Sequence, residues 1–112
     1  MRTEKLLLLV LFVLGLSVSL AFAAGHTHEE RGLALFNDPG FAGGTTPCSA
    51  CHPGGKGLED SGGKTQFNIG GKTQNSLEEA VNYCIVAASQ GKAIPVDSQE
   101  MKDIVAYIKS LE

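Results

Sequence analysis

The residues best able to do chemistry lie in one short run, C-S-A-C-H over residues 48–52, and in a third cysteine, Cys84. The thiols of Cys48 and Cys51 are spaced to reach both vinyl groups on one edge of a porphyrin, and the imidazole of His52 can then turn under the iron. C-x-x-C-H is the attachment motif for c-type haem. The sequence therefore predicts one covalent haem at Cys48 and Cys51, with His52 as the proximal axial ligand.

The C-x-x-C pair has three other interpretations. A structural zinc site needs four ligands, and only one further cysteine is present. A thioredoxin-like redox pair expects a βαβ context and leaves His52 without a role. A disulfide between Cys48 and Cys51 is the plainest alternative, although three cysteines are an odd number and cannot all be paired within one chain.

The composition favours one small domain that needs an internal support. The chain has 112 residues, of which 43% are apolar and 6% are aromatic, with no tryptophan. A domain of this size buries barely enough surface to offset the conformational entropy lost on folding, so the apolar face of a haem would supply the missing core. The 9 basic and 12 acidic residues give a net charge of -3, which argues against a nucleic-acid partner.

Residues 1–23 have the pattern of a secretory signal peptide. A basic start is followed by an apolar run over residues 6–20 and by A-F-A at residues 21–23, which supplies small residues where a signal peptidase reads. We predict cleavage after Ala23, a periplasmic or otherwise exported location, and one domain over residues 24–112 with no membrane span. A retained anchor is the alternative, but a spanning helix needs about 20 apolar residues and this run is shorter.

The first part of the mature chain combines a helix with a long loop. Thr27 and Glu30 have capping-box spacing, which predicts a helix from about residue 28 to residue 36. Residues 41–71 are rich in glycine and show neither helical periodicity nor a run of β-branched residues. Such a stretch forms no core of its own, so we expect it to wrap the haem.

Two further helices are predicted in the second half of the chain. Ser76 begins one with an apolar stripe of helical period, and Cys84 lies in the middle of that stripe. Asp97 and Glu100 repeat the capping-box spacing and predict a last helix with Asp97 as its cap. The expected architecture is all-α, with about three helices and a glycine-rich loop around one covalent haem.

With these features the chain resembles a class I cytochrome c. Gly32 and Phe36 on the first helix, and Ile104 and Tyr107 on the last, are similar to the contacts by which the terminal helices of that family cross. The resemblance implies the cytochrome c fold, with the chain ends meeting over the haem. It also implies that the protein carries single electrons between redox partner proteins, and we expect a monomer.

The distal axial ligand departs from that family. Class I cytochromes commonly place a methionine before a proline just ahead of the last helix, but this chain has Ile94 before Pro95, and isoleucine cannot ligate iron. The remaining side chains able to ligate iron are Cys84, Met101, His26 and His28.

A second, narrower resemblance favours one of these candidates. The run from residue 77 to residue 107 is similar to the haem domain of thiosulfate dehydrogenases and related sulfur-oxidising cytochromes. That resemblance implies Cys84 as the distal ligand and a methionine in the last helix that does not ligate. Met101 is kept as the alternative because its thioether is a good soft ligand. The arginines that flank the cysteine in those enzymes correspond here to Ala80 and Ala87, so an anionic sulfur substrate would lose its charge partners.

Three functions follow from these expectations. The first is an exported electron carrier that is not an enzyme. The second is a haem oxidoreductase that acts on a sulfur compound or a peroxide. The third is a haem-based sensor of a gas or of redox state.

Overall fold

The computed structural model describes residues 26–112, so the signal peptide predicted over residues 1–23 lies outside the described residues. Three α-helices and one antiparallel pair of short strands make up the regular structure of that part of the chain. In chain order they are α1 (His28–Phe36), β1 (Phe67–Ile69), β2 (Lys72–Gln74), α2 (Leu77–Ala87) and α3 (Gln99–Lys109). Short 3-10 turns lie between α1 and β1, at Phe41–Gly43, Cys48–Ala50, Pro53–Gly55 and Ser61–Gly63. Within residues 26–112, no helix is both long and apolar enough to cross a membrane.

The prediction of an all-α fold is wrong, because residues 67–74 form a β-hairpin. Phe67 pairs with Gln74, Asn68 with Thr73, and Ile69 with Lys72. Gly70 and Gly71 make the turn, with φ of 60° and 75°. Two consecutive residues at positive φ match the twist of paired strands, and glycine adopts that conformation without steric cost. The described chain therefore combines three helices with a two-stranded sheet where only loop was expected.

The first two helices begin where the sequence predicts. The hydroxyl of Thr27 accepts a hydrogen bond from the N–H of Glu30 at 3.2 Å, and the Glu30 carboxylate accepts one from the N–H of Thr27 at 3.4 Å. This reciprocal pair confirms the capping box of α1. At the start of α2, the hydroxyl of Ser76 accepts from the N–H of Glu79 at 3.1 Å, as expected for an N-cap.

The cap predicted for the last helix is wrong by one residue. The hydroxyl of Ser98, and not the carboxylate of Asp97, accepts a hydrogen bond from the N–H of Met101 at 3.2 Å. An N-cap side chain must reach the third helical residue, and α3 begins at Gln99. Asp97 therefore lies in the turn before the helix.

Helices α1 and α3 cross in close contact at Gly32, as predicted. A Cβ atom built on Gly32 would collide with the main-chain carbonyl of Asp103 and would lie 2.8 Å from the Cβ of Tyr107. One turn further along α1, the rings of Phe36 and Tyr107 pack with their centroids 5.0 Å apart and their planes at 58°. Ile104 is fully buried in the same core. The two helices can approach this closely only because residue 32 has no side chain.

A buried carboxylate secures the same crossing. Asp103 is 4% exposed. It accepts hydrogen bonds from Nε of Arg31 at 3.1 Å, from Nη2 of Arg31 at 3.3 Å and from Nε2 of Gln99 at 2.8 Å, and Nδ1 of His28 lies against it as well. Burial alone would raise the pKa of Asp103, but these hydrogen bonds and the Arg31 cation outweigh it and hold the pKa below its usual range.

Asp103→Asn is expected to destabilise the protein by about 2 kcal/mol at pH 7, because a charged acceptor of several hydrogen bonds is lost. A carboxylate with a lowered pKa stabilises the folded state above its unfolded pKa of about 4, and the contribution disappears as the pH falls through the folded value. The difference from the wild type should therefore shrink on acidification. Urea unfolding at pH 7 and pH 3 measures it, with the exposed Asp97→Asn as control. An equal loss at both pH values would contradict this account.

Candidate functional site

An apolar cleft opens between the helices, the hairpin and the loop that contains residues 48–52. It contains about 500 Å³ of space free of protein atoms, part of which is open to solvent. Every regular element except β2 contributes apolar wall residues, among them Phe36, Phe67, Ile69, Leu77, Val81 and Ile104. The polar side chains in the wall are those of Cys48, His52, Ser61 and Cys84.

The C-x-x-C-H run forms a tight turn in the wall of this cleft. The N–H groups of Cys51 and His52 both donate to the carbonyl of Cys48, at 3.3 and 3.0 Å. Cys48 and His52 line the cleft, and Cys51 is exposed in a smaller adjoining pocket that both of them also line. Cys84 of α2 lines both spaces. The fold therefore gathers the three residues of the motif and the third cysteine around one place.

The ring of His52 is oriented by the main chain. Its Nδ1 lies 3.0 Å from the carbonyl oxygen of Lys56. A carbonyl can only accept, so Nδ1 is the protonated, donating nitrogen. Gly57, with φ of 91°, brings the loop so close that a Cβ there would lie 3.5 Å from Nδ1. This arrangement leaves the lone pair on Nε2, the nitrogen that a ligating histidine presents when its other nitrogen is held.

The thiols of Cys48 and Cys84 are neutral groups near pH 7. Burial raises the pKa of both, and repulsion from the thiolate form of a neighbouring cysteine raises it further, from Cys84 for Cys48 and from Cys51 for Cys84. The three thiols therefore lie within electrostatic reach of one another. A buried thiol of this kind gives up its proton when a metal or a covalent bond takes the proton's place.

Met101 lies in the core and outside the wall of the cleft. It is 0% exposed and sits on the packing face of α3, beside a surface groove that Lys102 and Val105 also line. Cys84, in contrast, reaches the cleft together with Cys48. Of the two leading candidates for the distal ligand, the fold brings Cys84 to the other site residues and leaves Met101 as a core side chain.

The two histidine candidates, and Ile94 before Pro95, are not in the wall of the cleft. The amide of Asn82 clamps the main chain of Ile94, donating to its carbonyl and accepting from its N–H at 2.9 Å each. The isoleucine before the proline is thus fixed to α2 by its backbone. His26 and His28 are exposed at the start of α1, where His28 contacts Asp103 at the helix crossing.

A scan against protein-family models and searches of curated proteins and of solved structures find no match for this chain. Within residues 26–112, no group of three or more His, Cys, Asp or Glu side chains is placed to hold a metal ion. A haem iron has a different requirement, because the porphyrin supplies four of its ligands and the protein supplies only the axial ones.

The hairpin side of the cleft was missed by sequence reasoning. Phe67 and Ile69 are two apart on β1, so they share one face of the strand and line the cleft, whereas Asn68 between them is exposed. The signal for this hairpin is a Gly-Gly pair between two short runs, at residues 70–71. When Gly70 and Gly71 are counted only as loop glycines, the hairpin is not predicted.

Proposed function

We propose that this chain is an exported c-type cytochrome, in which one haem is attached at Cys48 and Cys51 and His52 is the proximal axial ligand. It carries single electrons between redox partner proteins. The observation that supports this function is that Cys48, His52 and Cys84 line one apolar cleft. The donor set fits the group as well, because the hydrogen bond from His52 to Lys56 leaves Nε2 as the nitrogen available to a metal.

In this function the residues of the chain line the site and orient His52, and the haem supplies the redox chemistry. Haem, when bound, supplies a one-electron iron couple. Apolar side chains such as Phe36, Leu77 and Ile104 line the cleft, and the carbonyl of Lys56 fixes the direction of the His52 imidazole. An apolar wall of this kind limits the access of water to a redox group.

Within the same proposal, Cys84 is the distal ligand. It lines the cleft with His52, and the methionine that competes for the role is packed in the core. A thiolate donates charge to ferric iron and stabilises it, whereas His/Met ligation raises the potential of a cytochrome. His/Cys ligation should therefore give a clearly lower reduction potential than His/Met ligation.

Cys84→Ser should change the spin state of the ferric protein and raise its reduction potential. Met101→Leu, a swap of similar volume, should cost about 1 kcal/mol of packing and leave the spectrum unchanged. Absorption and EPR spectra with a potentiometric titration measure both variants. If Met101→Leu abolishes low-spin coordination while Cys84→Ser leaves the spectrum as it was, Cys84 is a core residue.

Three assays on the haem-loaded protein separate the carrier from the two alternative functions. We expect a one-electron redox titration, no turnover of thiosulfate or sulfite with an artificial acceptor, and no carbon monoxide binding to the reduced protein. The wall of the cleft has Ala80 where a sulfur anion would need a cationic partner. Turnover with thiosulfate would support a sulfur oxidoreductase instead, and carbon monoxide binding would support a sensor.

A further inference from the structure

Ser61 is a buried residue whose hydroxyl has no hydrogen-bond partner among the described residues. The residue is 4% exposed and lies in the wall of the apolar cleft. Both of its main-chain polar groups are hydrogen-bonded. Its N–H donates to the carbonyl of Leu58 and its carbonyl accepts from the N–H of Lys64, each at 3.1 Å. Within residues 26–112, every polar side-chain atom that is sealed from solvent has a hydrogen-bond partner, whereas Oγ of Ser61 has none. This oxygen therefore keeps some accessible surface, and the space that Ser61 lines is the apolar cleft.

Once a bound group covers the apolar wall, the hydroxyl of Ser61 needs a hydrogen-bond acceptor on that group. Burying a hydroxyl without a hydrogen bond is unfavourable, and a core position without a polar role is better filled by alanine. The other polar wall residues already have roles in the proposed function, as attachment site and axial ligands. Ser61 is the one polar wall residue that this function leaves unused.

The chemistry of the acceptor follows from the proposed function, on which this inference rests. The edge of a haem is hydrocarbon except for its two carboxylate side chains, so a hydroxyl facing that edge can donate only to a carboxylate. A cationic residue, Lys109, also lies near Ser61. Its side chain packs on the neighbouring Gly62, because a Cβ built on Gly62 would lie 3.0 Å from Cγ of Lys109. Asp60, Gly62, Lys109 and Glu112 line the adjoining surface groove, so both signs of charge lie nearby.

We propose that the hydroxyl of Ser61 donates a hydrogen bond to a carboxylate of the attached haem and so positions that edge of the group against the turn Ser61–Gly63. Hydrogen bonds to an ionised acceptor are among the stronger ones. Ser61 is then a binding residue at a place distant in sequence from the attachment motif.

Resonance Raman spectroscopy of the holoprotein tests this assignment through the bending mode of the haem carboxylate side chains, whose frequency rises with hydrogen bonding. Ser61→Ala should shift one such band to lower frequency, and Ser61→Thr, which keeps the hydroxyl, should restore it. Ser89→Ala is the matched control, since Ser89 is also buried but lies in the adjoining pocket beside Cys84. Haem content is measured for each protein by the pyridine haemochrome spectrum.

The outcomes separate this inference from the function on which it rests. A wild-type protein without attached haem would overturn both. A haem-loaded Ser61→Ala protein with unchanged carboxylate bands would overturn the role of Ser61 alone. Equal shifts in Ser61→Ala and Ser89→Ala would also overturn it, because they would mean that any buried serine disturbs the haem indirectly.

Discussion

Gly32→Leu is expected to destabilise the protein by about 3 kcal/mol or more, because the helix crossing has no space for a side chain. Even a single Cβ would overlap the carbonyl of Asp103, which belongs to the backbone of α3 and cannot rotate away. Gly32→Ala should therefore also be destabilising, although alanine favours a helix over glycine by about 1 kcal/mol. Urea unfolding monitored by circular dichroism gives the free energy of unfolding.

Ala34 provides the matched control for this position. It is exposed on the same helix, so Ala34→Gly should cost only the difference in helix propensity, about 1 kcal/mol. A change below about 0.5 kcal/mol for Gly32→Leu, which is the size of an ordinary surface substitution, would contradict the close crossing of α1 and α3.

The double variant Cys48→Ala, Cys51→Ala should fail to accumulate as a folded domain. Without haem, the apolar side chains in the wall of the cleft would face water, and a domain of this size has little stability to spare. Domains are stable by only about 5–15 kcal/mol, so the loss of a covalently held group at the centre removes most or all of that margin. Yield from an exporting host, followed by circular dichroism and thermal unfolding, measures the effect.

Cys84→Ser is the control for the double variant, because it removes a thiol from the same cleft and leaves both attachment cysteines in place. It should accumulate as a folded, haem-loaded protein with altered iron coordination. Recovery of a helical double variant that unfolds cooperatively would show that the domain does not depend on the group, and the account of its core would then be wrong.

Local signals predicted the helices and missed the strands. Thr27 with Glu30 and Ser76 with Glu79 fix helix starts by contacts within four residues, so the sequence alone locates α1 and α2. For α3, Asp97 and Ser98 are adjacent cap residues, and which of them caps depends on where the helix docks. The hairpin at residues 67–74 depends on packing against the cleft as much as on its Gly-Gly turn, so composition concealed it.

The candidate site also has one part that the sequence predicts and another that only the packing of the helices decides. Cys48, Cys51 and His52 are adjacent in sequence, so their proximity follows from the chain itself. Cys84 and Met101 both lie on apolar helix stripes, and a stripe shows that a residue faces inward but does not tell a cleft from a core. Only the packing of α2 and α3 separates them, with Cys84 in the cleft wall and Met101 in the interior.

Covalent attachment of haem to Cys48 and Cys51 can be read from the intact mass of the purified wild-type chain under denaturing conditions. The full chain, residues 1–112, should be expressed in a host that exports and matures c-type cytochromes. We expect a single species with cleavage after Ala23 and the added mass of one haem, which persists in denaturant because two thioether bonds hold it. A folded chain at the mass of the bare polypeptide, or one lighter by two hydrogens as a Cys48–Cys51 disulfide would make it, would contradict the account.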